Sequence, residues 1–277
     1  MEIVLVLNSG SSSLKYKVFD MSMGSMLASG GIERIGQDNA WINHKVNERE
    51  PVRREDKIPD HKTALEKILK LLMDEKKGVI KSLDEIAAVG HRVLHGKDVY
   101  DRAVIIDQEV REQLEEFRCL GPLHMPANLM GIDACQELMG DTPQVAVFDT
   151  AFHQTMPQYA YMYSLPYELY QKYGIRKYGF HGISHKYVSN RAAEILGQPI
   201  QHLKLLTLHL GNGCSIAAVQ NGRCVETTMG FTPLEGLTMG TRCGDLDPAV
   251  IPVLCEKLEK TPHEIDALLN KESGLLG

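Results

Sequence analysis

Three side chains stand out as groups able to act on an oxyanion. Arg92 closes the apolar stretch Ile86-Ala-Ala-Val-Gly90-His-Arg92. Arg242 sits in a loop of small residues, Thr238-Met-Gly-Thr-Arg-Cys-Gly-Asp245. His181 lies among glycines and aromatics in Tyr178-Gly-Phe-His-Gly182. A glycine-rich loop carrying one arginine can aim a guanidinium fork at an anion without obstruction. Each arginine also reads as a surface residue, and an isolated histidine is more often structural than catalytic. Asp149 ends an apolar strand, where in an α/β protein a carboxylate projects toward a ligand crevice. A helix cap is its plainer role.

Two segments could hold phosphate. Neither a Walker A pattern nor GxGxxG occurs, so another device would have to do it. Asn8-Ser-Gly-Ser-Ser-Ser13 offers successive backbone N–H groups, four serine hydroxyls and an amide, with Lys15 just beyond. Gly211-Asn-Gly213 offers backbone that a ligand can approach closely. Taken singly, each loop reads more readily as an ordinary polar turn, because Gly and Ser are favoured turn residues. Zinc is disfavoured. His91/His95 and His181/His185 are each four apart but lack the HExxH glutamate, and the six cysteines form no CxxC pair.

These groups need a scaffold, and the hydrophobic pattern supplies one. Strands are predicted at 2–7, 14–19, 86–90, 144–148, 203–210, 215–219 and 223–227. Asn221-Gly222 between the last two signals a type I′ hairpin. Helices are predicted over 63–76, with Leu65, Ile68, Leu69 and Leu72 on one face, over 108–118 capped by Asp107, and up to Met139 with Gly140 beyond its end. Further helices are expected from Ser184 to Gly197, after Asp247-Pro248, and from the capping box Thr261-Pro-His-Glu264. The charged stretch 53–57 reads as solvated surface. A boundary near residue 150 divides the chain into domains 1–150 and 151–277. Strand, polar loop and strand near the start are echoed by strand, Gly211-Asn-Gly213 and hairpin past the middle, as in a duplicated architecture.

Composition narrows the class. The 277 residues are 43% hydrophobic, ample for a core without disulfide or metal staples. Thirty Lys+Arg against 36 Asp+Glu give a net charge of −6, which argues against a nucleic-acid binder. Local arginines would have to supply any anion site. The N-terminal segment lacks a basic n-region, no stretch approaches a membrane span, and the scattered cysteines read as reduced thiols. A cytoplasmic location without membrane partners is expected.

At greater length the motifs resemble the acetate kinase (acetokinase) family. Asn8-Ser-Gly-Ser-Ser-Ser-Leu-Lys15 is similar to its first signature. Gly230-Phe-Thr-Pro-Leu-Glu-Gly-Leu-Thr-Met-Gly240, continuing to Pro248, is similar to its second. Gly90-His-Arg-Val-Leu-His-Gly96, Phe148-Asp-Thr-Ala-Phe-His153, Tyr178-Gly-Phe-His-Gly-Ile-Ser-His185 and His209-Leu-Gly-Asn-Gly213 lie between them in family order.

The resemblance implies an α/β chain with the duplicated fold of acetate and sugar kinases, Hsp70 and actin, in which each ribonuclease H-like domain holds a mixed sheet flanked by helices. It implies phosphoryl transfer from ATP to acetate, giving ADP and acetyl phosphate, with magnesium or manganese as cofactor and a homodimeric assembly. It assigns Arg92 and Arg242 to the carboxylate and phosphoryl oxygens, His181 to donation in the transition state, and Asp149 to orienting the site. Asn8 lies near the metal. Ser11, Ser13 and Lys15 surround the phosphates, and His209, Leu210, Gly211, Asn212 and Gly213 form a second phosphate loop. Leu94, Leu123, Phe180 and Pro233 line the pocket for the methyl group, where bulky Leu94 favours acetate over longer acids.

Two departures accompany the resemblance. Lys97-Asp98 follows Gly96 where relatives usually have a second glycine, and a local loop change is expected. Family members also continue past residue 277. That implies an incomplete second domain with exposed apolar strand edges, low stability, and weak or absent ATP binding. A propionate or butyrate kinase of the same superfamily is the neighbouring reading. A non-catalytic remnant that binds acyl phosphate or a partner protein is a reading of another class. A sugar kinase is disfavoured, because its hydroxyl acceptor needs a carboxylate base and the implied acceptor contacts here are arginines.

Overall fold

The computed structural model of the chain describes residues 2–47, 49–122 and 124–277. They divide into two compact units, Met1–Gly96 with Arg102–Phe148, and Lys97–Asp101 with Asp149–Gly277. The short piece Lys97–Asp101 groups with the second unit, which hydrophobic patterning gave no means of anticipating.

In the first unit the chain runs β1 (Ile3–Gly10), β2 (Ser13–Asp20), β3 (Ser25–Glu33), β4 (Trp41–Val46), β5 (Val52–Glu55), α1 (His61–Leu72), β6 (Ile86–Val93), β7 (Val104–Ile105), α2 (Gln108–Glu116), α3 (Met125–Met139) and β8 (Gln144–Phe148). The strands form one mixed sheet in the order β5-β4-β3-β2-β1-β6-β8-β7. β1 to β5 are an antiparallel meander, while β6 pairs parallel with both β1 and β8. Alternation along β1 and β2 puts Ile3, Leu5, Leu7, Leu14, Tyr16 and Val18 into one core with Leu65, Ile68 and Leu72 of α1 and Cys135 of α3. Each fully buried aliphatic side chain there contributes roughly 1.5–3 kcal/mol. Val6, Asn8, Lys15 and Lys17 line a groove of about 480 Å³ with Ser29, Gly31 and Asn43.

Several local expectations change. Asn8–Ser13 is not a six-residue loop. The ladder continues to Gly10 opposite Ser13, leaving only Ser11 and Ser12 in the turn. Polar side chains do not prevent backbone pairing, and a β-carbon on Gly10 would stand 2.8 Å from Ser13 Oγ. α1 begins earlier than predicted, where Asp60 Oδ1 accepts from Thr63 N at 2.7 Å. It also stops earlier, because Asp74 Oδ1 accepts from Lys76 N and Lys77 N and diverts the backbone from the helix. β3 was not foreseen. Asp107 does cap α2, and Gly140 follows α3 at φ 52°.

The second unit contains α4 (Gln158–Tyr161), α5 (Tyr167–Tyr173), α6 (Gly182–Leu196), β9 (Lys204–Leu210), β10 (Cys214–Gln220), β11 (Arg223–Thr227), α7 (Val250–Leu258) and α8 (Pro262–Lys271). Its sheet is antiparallel, in the order β11-β10-β9. Asn221 and Gly222 both take positive φ, as a type I′ turn requires. Thr261 and Glu264 cap α8 reciprocally. α7 starts at Val250, beyond the predicted cap, because Asp247 Oδ1 instead accepts from Ala249 N within a turn. Lys97 holds φ 54°, a left-handed conformation that a glycine takes without strain.

The order β11-β10-β9 repeats β3-β2-β1, and in each unit a short polar turn joins the first two strands of the meander. The repeat differs at one edge. β1 pairs with β6 on its second side, whereas β9 has no second strand partner among the described residues. Leu206, Leu208 and Leu210 are exposed on β9. No helix among the described residues is long and apolar enough to cross a membrane.

Candidate active site

In the second unit the chemistry gathers around the turn after β9. His181 precedes α6 at φ 58°, a conformation uncommon for a residue with a β-carbon. α6 was expected to start at Ser184. It starts at Gly182, and Ser184 Oγ pairs instead with His209 Nδ1 at 2.9 Å. The His209 ring stacks on His181 at 4.0 Å between centroids. Gly182 N donates to the backbone oxygen of Asp149 at 2.9 Å, which ties the start of α6 to the segment following β8. Asp149 is buried at 2% exposure, so its side chain is no solvent-facing helix cap.

Arg242 reaches the same place from the loop between β11 and α7. Its Nη1 donates to the Pro233 carbonyl at 3.1 Å. A β-carbon on Gly213 would stand 3.3 Å from Arg242 Nη1 and 3.5 Å from His181 Nε2. The loops are joined, since Gly240 N donates to Asn212 O at 3.0 Å and a β-carbon on Gly240 would strike the Asn212 amide. Glycines at 213 and 240 thus leave room that larger residues would fill. Leu210 is exposed, whereas Phe180 is buried with its carbonyl accepting from His153 Nε2 at 2.9 Å.

The first unit assembles a second group. Arg92, on β6, donates from Nη1 to Asn8 Oδ1 at 3.2 Å. Lys15 stands opposite Asn8 in the ladder, but its Nζ lies 3.5 Å from Glu33 Oε1. Ser11 occupies the exposed hairpin turn and Ser13 opens β2. Leu94 is buried, and a β-carbon on Gly121 would stand 2.6 Å from its Cδ2. Leu123 lies outside the described residues.

Sequence reasoning missed the residues that hold these groups. Buried Asn128 donates to Ser9 O at 2.7 Å and accepts from Leu94 N at 2.9 Å, joining the end of β1 to the segment after β6. Buried Ser215 meets His181 Nδ1 at 2.9 Å and His185 Nε2 at 2.8 Å. His185 and Thr207 complete that cluster at 2.8 Å. His185 was marked in the sequence only as half of the His181/His185 pair, and Asn128, Thr207 and Ser215 only by polar character within predicted elements. Burial pushes His91 and His153 down to about 4 and His185 down to about 3, so all three are neutral near pH 7.

A guanidinium and an imidazole beside a glycine turn can neutralise charge on a tetrahedral or planar oxyanion. No group of three or more His, Cys, Asp or Glu able to hold a metal occurs among the described residues.

The model of the acetokinase family matches residues 3–277. The acetate kinase of Clostridium novyi is 59% identical over 274 residues, covering 99% of this chain and 68% of that protein. The acetate kinase of Methanosarcina acetivorans is 58% identical, covering 99% of this chain and 67% of its own length. Among solved structures, Porphyromonas gingivalis acetate kinase superposes with TM-score 0.93 at 48% identity, covering 100% of this chain and 69% of that one. A propionate kinase from Francisella tularensis gives 0.94 at 43% identity, covering 100% and 70%. With the family model matching residues 3–277 and 59% identity to a curated relative, this chain belongs to the acetokinase family.

Proposed function

We propose that the chain transfers the terminal phosphoryl group of ATP reversibly to acetate, giving acetyl phosphate and ADP. Acetate is ionised near neutral pH, so no general base has to create the nucleophile. A carboxylate oxygen forms the new bond to the γ-phosphorus, the bond to the β,γ-bridging oxygen breaks, and ADP leaves with that electron pair. No proton needs to move. What the protein must supply is positioning and charge neutralisation.

One observation carries the reading: Arg242 Nη1 and His181 Nε2 stand beside the same glycine, Gly213. We assign both to the oxygens of the migrating phosphoryl group. The 211–213 turn supplies backbone donors to phosphate, with His209 stacked behind His181. Arg92, aimed by Asn8, takes carboxylate or phosphoryl oxygen. On the family resemblance we assign Leu94, Phe180 and Pro233 to the methyl group. Asp149 orients the site, and Ser11, Ser13 and Lys15 serve the phosphates. Asn8 would lie near a magnesium ion, which offsets phosphate charge when bound. We read the two units as the halves of the duplicated kinase fold, in a cytoplasmic homodimer.

Hydroxamate formation from ATP and acetate tests the reading, with propionate and butyrate run beside it. Turnover fastest with acetate supports it. Faster turnover with propionate makes the chain a propionate kinase. Absence of turnover, together with no magnesium-dependent ATP binding by calorimetry, contradicts it.

A further inference from the structure

A buried row of hydroxyls and imidazoles leads away from His181. Ser215 Oγ lies 2.9 Å from His181 Nδ1 and 2.8 Å from His185 Nε2. On its far side, His185 Nδ1 lies 2.8 Å from Thr207 Oγ1, and Thr207 Oγ1 donates to the Ala217 carbonyl at 3.4 Å. Ser215 and His185 are fully buried and Thr207 nearly so.

A hydroxyl has one proton and touches two partners here, so each link fixes the next. The Ala217 carbonyl can only accept. With the Thr207 proton spent on it, Thr207 oxygen accepts from His185 Nδ1–H. Burial keeps His185 neutral, with its titration pushed down to about 3, so its Nε2 is a lone pair. That lone pair accepts the Ser215 proton, and Ser215 oxygen then accepts from His181 Nδ1–H. The 3.4 Å bond is the longest link, and its direction is what the experiment reads.

We propose that Ser215, held by His185 and Thr207, is a positioning residue that keeps the His181 proton on Nδ1 whenever that ring is neutral, so that Nε2 donates a hydrogen bond only from the imidazolium. The arrangement selects a tautomer by second-sphere hydrogen bonding, as outer partners do for metal-bound histidines. Other charged or titratable groups face this row: His209 stacks on His181, Arg242 lies beyond Gly213, and His153, His209 and Asp149 act on His185. The consequence for catalysis rests on the phosphoryl-transfer reading, whereas the tautomer itself does not. If His181 donates to the phosphoryl oxygens, kcat falls as pH rises through the titration of its ring.

Nitrogen-15 NMR of the histidine rings reads the tautomer directly in the unmodified protein. Above the titration of His181, the proposal expects Nδ1 protonated and Nε2 bare. A neutral ring protonated on Nε2 overturns it, whatever the activity. In Ser215→Ala the neutral ring loses its Nδ1 acceptor and its Nε2–H form becomes populated. The kcat of this variant falls about 10- to 100-fold where the wild type is most active. Its alkaline decline is lost, because the neutral ring now donates. An unchanged tautomer and unchanged pH profile in a folded Ser215→Ala protein also overturns the proposal. The expected tautomer in a protein without phosphoryl transfer would sink the functional reading and leave the positioning role intact.

Discussion

His181 Nε2 and Arg242 Nη1 approach the same point in the second unit, 3.5 Å and 3.3 Å from where a β-carbon on Gly213 would stand. An imidazole from the start of a helix and a guanidinium from a distant loop thus share one small space, and a glycine keeps it open. Its backbone φ is not in the left-handed region, so space rather than conformation requires glycine here.

Gly213→Ala should therefore harm activity more than folding. The added methyl would stand 3.3 Å from Arg242 Nη1, so the guanidinium must give by a few tenths of an ångström, while His181 Nε2 at 3.5 Å stays in ordinary contact. A small displacement of positioned groups costs up to about 100-fold in rate. We expect kcat/KM to fall about 10- to 100-fold while the urea midpoint hardly moves. Full activity in the alanine variant would mean that the space is not used.

Asn128 bridges two backbone groups, Ser9 O and Leu94 N. Asn128→Ala leaves both buried and unpaired, at about 1–3 kcal/mol each. Urea unfolding should show the loss in the first unit. Asn128→Asp keeps the acceptor for Leu94 N and loses the donor to Ser9, so its loss should be smaller or different in pH dependence. A wild-type midpoint in Asn128→Ala would contradict the bridging role.

Buried neutral histidines make stability depend on pH. His91 and His153 are held down to about 4, chiefly by burial, while the unfolded value is about 6.5. Between those values the unfolded chain binds more protons than the folded one, so stability rises with pH. The contribution is fully present above about pH 6.5 and is lost as pH falls toward 4, on the order of 3 kcal/mol for each histidine. Urea midpoints at pH 7, 6 and 5 should fall in that order. Equal midpoints at pH 7 and 5 would contradict this.

Much of this structure was legible in the sequence, for identifiable reasons. Asn221-Gly222 demanded positive φ at both positions and received it. Thr261 with Glu264, Asp107 and Gly140 marked helix ends by capping chemistry. Expectations failed where a polar side chain took a role the local pattern does not encode. Asn8, Ser9 and Gly10 looked like loop but pair as strand. Ser184 looked like a cap but bonds His209, far along the chain. Lys97 occupies a left-handed position suited to glycine, which hydrophobic patterning does not reveal. Arg92, His181 and Arg242 could be named from motifs. Ser215, His185 and Asn128 act through contacts 22 to 119 residues apart, which no local pattern shows.

The most direct test of phosphoryl stabilisation is a double-mutant cycle on His181→Ala and Arg242→Ala, read as kcat for acetate phosphorylation. Each single variant should lose about 10²- to 10³-fold, the usual loss on removing one oxyanion donor. Because the two groups serve one oxyanion, the double variant should lose far less than the product of the single losses. Losses that simply multiply, or a single variant that keeps wild-type kcat, would contradict a shared role at Gly213.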